Sequence, residues 1–91
     1  MVTVRADAKG HDWLCEVRVD HAGQRTRHTV TVKRVDLERW SGGTKREDVE
    51  SLVAKSFDFL LEREPPSSIL ATFDLSVIQR YFPEYDAAFK R

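Results

Sequence analysis

The chain has 91 residues, 41% of them apolar and 33% charged, which suits one folded domain and leaves no room for two. Its 15 Lys and Arg balance 15 Asp and Glu, so no net field draws it to nucleic acid or to anionic lipid. A single cysteine, Cys15, excludes an internal disulfide framework, and no apolar run approaches the ~20 residues of a membrane span.

The opening MVTVRADAKG lacks the apolar core of a secretory leader, so the expectation is a cytoplasmic protein with no membrane partner. Val2 and Val4 make a short strand-like run ended by the polar stretch around Gly10. From residue 11 to 20 the odd positions Trp13, Cys15, Val17 and Val19 are apolar. Asp12, Glu16 and Arg18 alternate with them, and Leu14 is the exception. From residue 25 to 34, His28, Val30 and Val32 share one face, while Arg25, Arg27, Thr29, Thr31 and Lys33 share the other. Residues paired across a hairpin lie on the same face, so this alternation demands an even loop. A loop over residues 20–23 predicts Val17 opposite Thr26, Cys15 opposite His28, Trp13 opposite Val30 and Glu16 opposite Arg27.

Asp36 has the chemistry of an N-cap for a short turn over residues 37–40, closed by Gly42 and Gly43. Thr44 and Glu47 have capping-box spacing and open a long helix over residues 45–63. Its stripe of Val49, Leu52, Val53, Ser56, Phe57, Leu60 and Leu61 repeats at helical spacing until Pro65 and Pro66 stop it. Ser67 or Ser68 can cap a turn through Leu70. Asp74 can cap a second helix over 75–82, and Pro83 can begin a last one carrying Tyr85 and Phe89. The expected fold is α+β in one domain. A three-stranded antiparallel sheet fills residues 1–35, and one long and two or three short helices fill 36–91. The helices pack on the face of Val4, Trp13, Cys15, Val17, Val30 and Val32.

The run Leu60-Leu61-Glu62-Arg63-Glu64-Pro65, the Ser68-Ile69-Leu70 triplet, and Phe73-Asp74-Leu75-Ser76-Val77-Ile78 followed by Arg80-Tyr81-Phe82-Pro83-Glu84-Tyr85 form a distinctive tail. It resembles the C-terminal signature of a family of small uncharacterised bacterial proteins. His28-Thr29-Val30-Thr31-Val32 and Asp36-Leu37-Glu38-Arg39 extend the resemblance over most of the chain. It implies a shared fold and brings no activity, ligand or catalytic residue with it.

Five chemistries can be weighed on the residues. Cys15 opposite His28 has the ingredients of a thiolate–imidazole nucleophile, but both fall on the core face, where a thiol is ordinarily a small hydrophobe. His11, His21 and His28 lack metal-ligand spacing, and no cofactor is implied. The stretch Ser41-Gly42-Gly43-Thr44-Lys45 precedes a helix as anion-binding loops do, without phosphate-loop spacing. Arg18, Arg25, Arg27 and Lys33, with Arg5, make a basic cluster on the open sheet face that could touch nucleic-acid phosphates. Asp7, Asp12 and Glu16 dilute it, and no aromatic accompanies it for base stacking. Leu14, Trp40 and Phe59 fall off the apolar stripes and could belong to a surface for a protein partner or a second copy. The expectation is a non-enzymatic protein-interaction module, with nucleic-acid binding second and a Cys15–His28 enzyme third.

Overall fold

The computed structural model describes residues 1–89. Three long strands lead: β1 (Val2–Lys9), β2 (Asp12–His21) and β3 (Gln24–Val32). Next come α1 (Arg34–Trp40) and α2 (Arg46–Leu61), followed by a 3-10 turn at Pro66–Ser68. The tail is β4 (Thr72–Asp74), α3 (Val77–Tyr81) and α4 (Glu84–Phe89). The sheet has four strands in the order β1-β2-β3-β4, and β4 runs parallel to β3. The architecture is α+β, as expected, with a mixed sheet in place of a three-stranded antiparallel one. A parallel pair needs a crossover, which residues 33–71 supply with α1 and α2. Asp74, expected to cap a helix, is the last residue of β4, whose residues 72–74 pair with residues 29–31.

The hairpin register also departs from expectation. His21 pairs with Gln24, so the loop is Ala22-Gly23 alone, and both residues have positive φ, 52° and 78°. That two-residue turn matches the twist of the flanking strands. It places Cys15 opposite Val30, Val17 opposite His28, Trp13 opposite Val32 and Glu16 opposite Thr29. The faces are unchanged, because the shift is two residues, a whole pleat period.

One sheet face is covered by the helices. Ala6, Cys15, Val17, Val19, Val30 and Val32 are buried there against Val49, Val53, Phe57 and Leu60 of α2. Helix α2 lies along β1, and the Glu50 carboxylate accepts the Ala6 N–H at 3.0 Å. That bond satisfies one of the donors β1 would otherwise leave open on its outer edge.

Helix starts shift for identifiable reasons. Asp36 lies inside α1, buried, and is no cap: the Arg34 N–H is taken by Asp12 Oδ1 at 3.1 Å from β2. Gly42, at φ 77°, ends α1 by donating its N–H to the Leu37 carbonyl at 2.9 Å, the left-handed closure expected of it. The reciprocal bond of α2 runs from Lys45 N–H to Asp48 Oδ2 at 3.0 Å, one residue beyond the expected Thr44 and Glu47. Asp48 folds back so closely that a Cβ at Gly43 would collide with its carboxylate. An anion at this loop would meet that carboxylate, which already occupies the helix start.

The tail closes the core. Asp74 accepts the Ser76 N–H at 3.0 Å and the Ser76 hydroxyl, making a side-chain turn between β4 and α3 rather than a helix cap. Phe73, Leu75, Ile78 and Tyr85 are buried. Tyr85 lies edge-on to Trp40 and Phe59 and stacks on Phe89 at 4.3 Å between centroids. Its hydroxyl is 2.7 Å from Ser56 Oγ, which itself donates to the Leu52 carbonyl, so the tyrosine is the donor of the pair.

Candidate functional site

The thiol and the imidazole that sequence reasoning paired are separated by the register and occupied by other work. Cys15 is fully buried, and burial, with Glu50, Asp7 and Glu16 adding to it, pushes its thiol up to about 12. A thiolate nucleophile needs the opposite shift. The His28 ring lies between two partners: Leu70 O is 2.8 Å from Nδ1 and Thr26 Oγ1 is 2.8 Å from Nε2. A carbonyl only accepts, so Nδ1 donates to Leu70. His28 therefore ties β3 to the segment that leads into β4, and Phe57 packs on its ring at 5.2 Å between centroids. Among the described residues no group of three or more His, Cys, Asp and Glu side chains could hold a metal ion. Among the same residues no helix is long and apolar enough to cross a membrane.

The basic residues of the open sheet face do not act as one patch. Arg25 pairs with Asp20 at 3.4 Å, Arg5 with Asp7 at 3.6 Å and Lys33 with Asp74 at 3.8 Å. Arg18 and Arg27 remain, directly opposite one another and without an ion pair among the described residues. With Thr3, Arg5 and Glu16 they line a shallow depression of about 340 Å³.

Of the three apolar side chains expected at a surface, only Leu14 is there, half-buried between Asp7 and Thr31 on neighbouring strands. Trp40 and Phe59 are 4% and 6% exposed, which removes the exposure that expectation needed. Trp40 donates its indole N–H to Asp86 Oδ1 at 2.9 Å, and Arg63 lies 3.5 Å over the Phe59 ring. Phe59 lies off the main stripe because the α4 residues Tyr85 and Phe89 cover a second side of α2.

A further concavity lies on the helical side of the molecule, apart from the depression on the open sheet face. The C-terminal end of α2, the 3-10 turn, β4 and α3 enclose a groove of about 420 Å³. Leu60, Ile69, Phe73 and Ile78 are its buried floor, and Leu70 and Tyr81 stand at its rim, 51% and 70% exposed. Its size and lining fall in the range of sites that take small apolar bodies.

Glu64 is the groove's one carboxylate, at the turn where Glu64 N–H closes α2 on the Leu60 carbonyl. Its side chain has no hydrogen bond or ion pair among the described residues, and burial raises its pKa. The neighbouring Arg63 faces elsewhere: it donates to the Phe59 carbonyl at 2.8 Å and pairs with Glu84 at 3.3 Å. Sequence reasoning placed most of these residues in the core and missed the groove. The available signal was Leu70 and Tyr81, large side chains at positions the helical stripes do not bury.

No family model, no curated protein and no solved structure matches this chain.

Proposed function

We propose that the protein is a non-enzymatic interaction module that binds a partner protein by taking one of its apolar side chains into the groove between α2, β4 and α3. The supporting observation is the rim: of the four large apolar residues that stand exposed among the described residues, two, Leu70 and Tyr81, edge the same mainly apolar cavity. Scattered exposed apolar residues need no explanation, whereas a contiguous set around a concavity marks a contact site. A cytoplasmic setting fits the single buried thiol.

A displayed peptide library selected on the wild-type protein and depleted on a Leu70→Asp variant tests this. Leu70 is half exposed, so the variant should fold with stability within about 0.5 kcal/mol of wild type. Enriched peptides should carry a bulky apolar residue, bind wild type and not the variant, and shift the amide resonances of Ile69, Phe73 and Val77. Peptides that bind both proteins equally, or that shift only the sheet residues, would remove the groove from the reading.

A second reading, nucleic-acid contact through the open sheet face, is supported by Arg18 opposite Arg27. Like charges directly opposed cost stability, and a phosphate between them would offset that cost. Anisotropy of a labelled single-stranded oligonucleotide should then rise at low salt, fall with added salt, and vanish for Arg27→Glu. The same substitution should stabilise the free protein by about 0.2–1 kcal/mol. No binding at low salt would end this reading.

A further inference from the structure

The groove is lined mainly by apolar side chains, with Glu64, Ser68 and the Tyr81 hydroxyl as its polar members. Among the described residues its lining contains one acid, Glu64, and no base. A carboxylate in such a place is normally matched by a cation of its own chain, and the elements around the groove carry two arginines, Arg63 just after α2 and Arg80 in α3. Arg63 is committed to Phe59 and Glu84, and Arg80 is exposed and does not line the groove. Among the described residues the result is an acid that has lost part of its hydration to burial and gained no partner in return.

Resting on the groove reading above, we propose that the partner segment presents its apolar anchor beside a Lys or Arg, whose cation is received by Glu64. The charge of the groove fits such a segment and disfavours an anionic one. Because Glu64 is already partly desolvated in the free protein, a docking ammonium or guanidinium gains its attraction without first stripping water from both groups. The apolar floor supplies affinity for the anchor, and the single acid at its margin supplies orientation. A neutral or acidic segment would leave Glu64 buried deeper and still unmatched, which costs binding.

Three small probes that differ only at the head group test this on the full chain: 2-phenylethylammonium, 2-phenylethanol and 3-phenylpropanoate. Binding is followed by the methyl resonances of Leu60, Ile69, Val77 and Ile78, with dissociation constants on the order of 1 mM for ligands of this size. The ammonium should bind about tenfold more tightly than the alcohol, the value of one charge-assisted hydrogen bond. The propanoate should bind weakest. Glu64→Gln should bring the ammonium down to the alcohol without weakening the alcohol. In wild type, 1 M salt should narrow the same gap, a check that needs no variant. Equal binding of ammonium and alcohol, or tighter binding of the propanoate, overturns the cation and leaves the groove standing. Absence of binding by all three overturns the groove itself.

Discussion

Replacing Tyr85 with alanine should cost about 3–5 kcal/mol, the largest effect of any change in the tail. The ring is fully buried, and Trp40, Phe59 and Phe89 all pack on it, so its removal leaves a cavity walled by three aromatics from different helices. Two quieter substitutions separate the ring from its hydroxyl. Tyr85→Phe removes one donor and leaves Ser56 still donating to the Leu52 carbonyl, so it should cost only about 0.5–1.5 kcal/mol. Ser56→Ala strands the phenol in an apolar site and should cost about 1–3 kcal/mol. Urea denaturation of the three variants gives the ordering. If Tyr85→Ala proves no worse than Tyr85→Phe, α4 is not a closing element of the core.

The stripes that bury these residues could be read from the sequence; the way they interlock could not. Period-two alternation assigned the correct face to Cys15, Val17 and Val19 of β2 and to His28, Val30 and Val32 of β3, because side-chain direction depends only on parity. The same property hid the register, since sliding by two residues preserves every face. Only the turn decides it, and the turn here uses Ala22 at a left-handed φ of 52°, a place where glycine or asparagine is the recognisable signal. Cys15 and His28 were paired on that error alone.

Strand β4 was illegible for another reason. Three residues are too few to show a period, and Asp74 followed by Leu75 and Ile78 has the composition of a capped helix. Asp74 does accept a nearby backbone N–H, but in a turn that leaves a strand. The parallel pairing of Val30 with Phe73 is a contact across the whole helical crossover, and no local pattern encodes it. The groove follows from that pairing, because β4 and α3 form one of its walls and the end of α2 the other. Its polar member was equally hidden: Glu64 reads as one more charge beside two prolines until Arg63 is seen to face α4.

Stability should fall steeply in alkali, beginning near pH 9. Cys15 has an ordinary value of 9.0 and is pushed up to about 12 in the fold, and burial also raises Tyr85 from its ordinary 10.0. In the unfolded chain both groups lose their protons near the ordinary values, while the native protein keeps them. Between those limits the unfolded state binds fewer protons than the native state, so raising the pH favours unfolding. Each group contributes a slope of about 1.4 kcal/mol per pH unit. The Cys15 part runs from pH 9 to about 12, the Tyr85 part joins it from pH 10, and neither acts below pH 9. Urea midpoints at pH 8, 9.5 and 11 for wild type, Cys15→Ala and Tyr85→Phe measure the slopes independently of the packing each variant loses. Cys15→Ala should flatten the curve from pH 9, and Tyr85→Phe only above pH 10. The cysteine result bears on function as much as on stability. A slope that Cys15→Ala leaves untouched would mean a thiol that ionises as readily in the fold as out of it, and burial would no longer argue against a nucleophile there; only a slope of opposite sign, from a thiol ionising more readily in the fold, would argue for one.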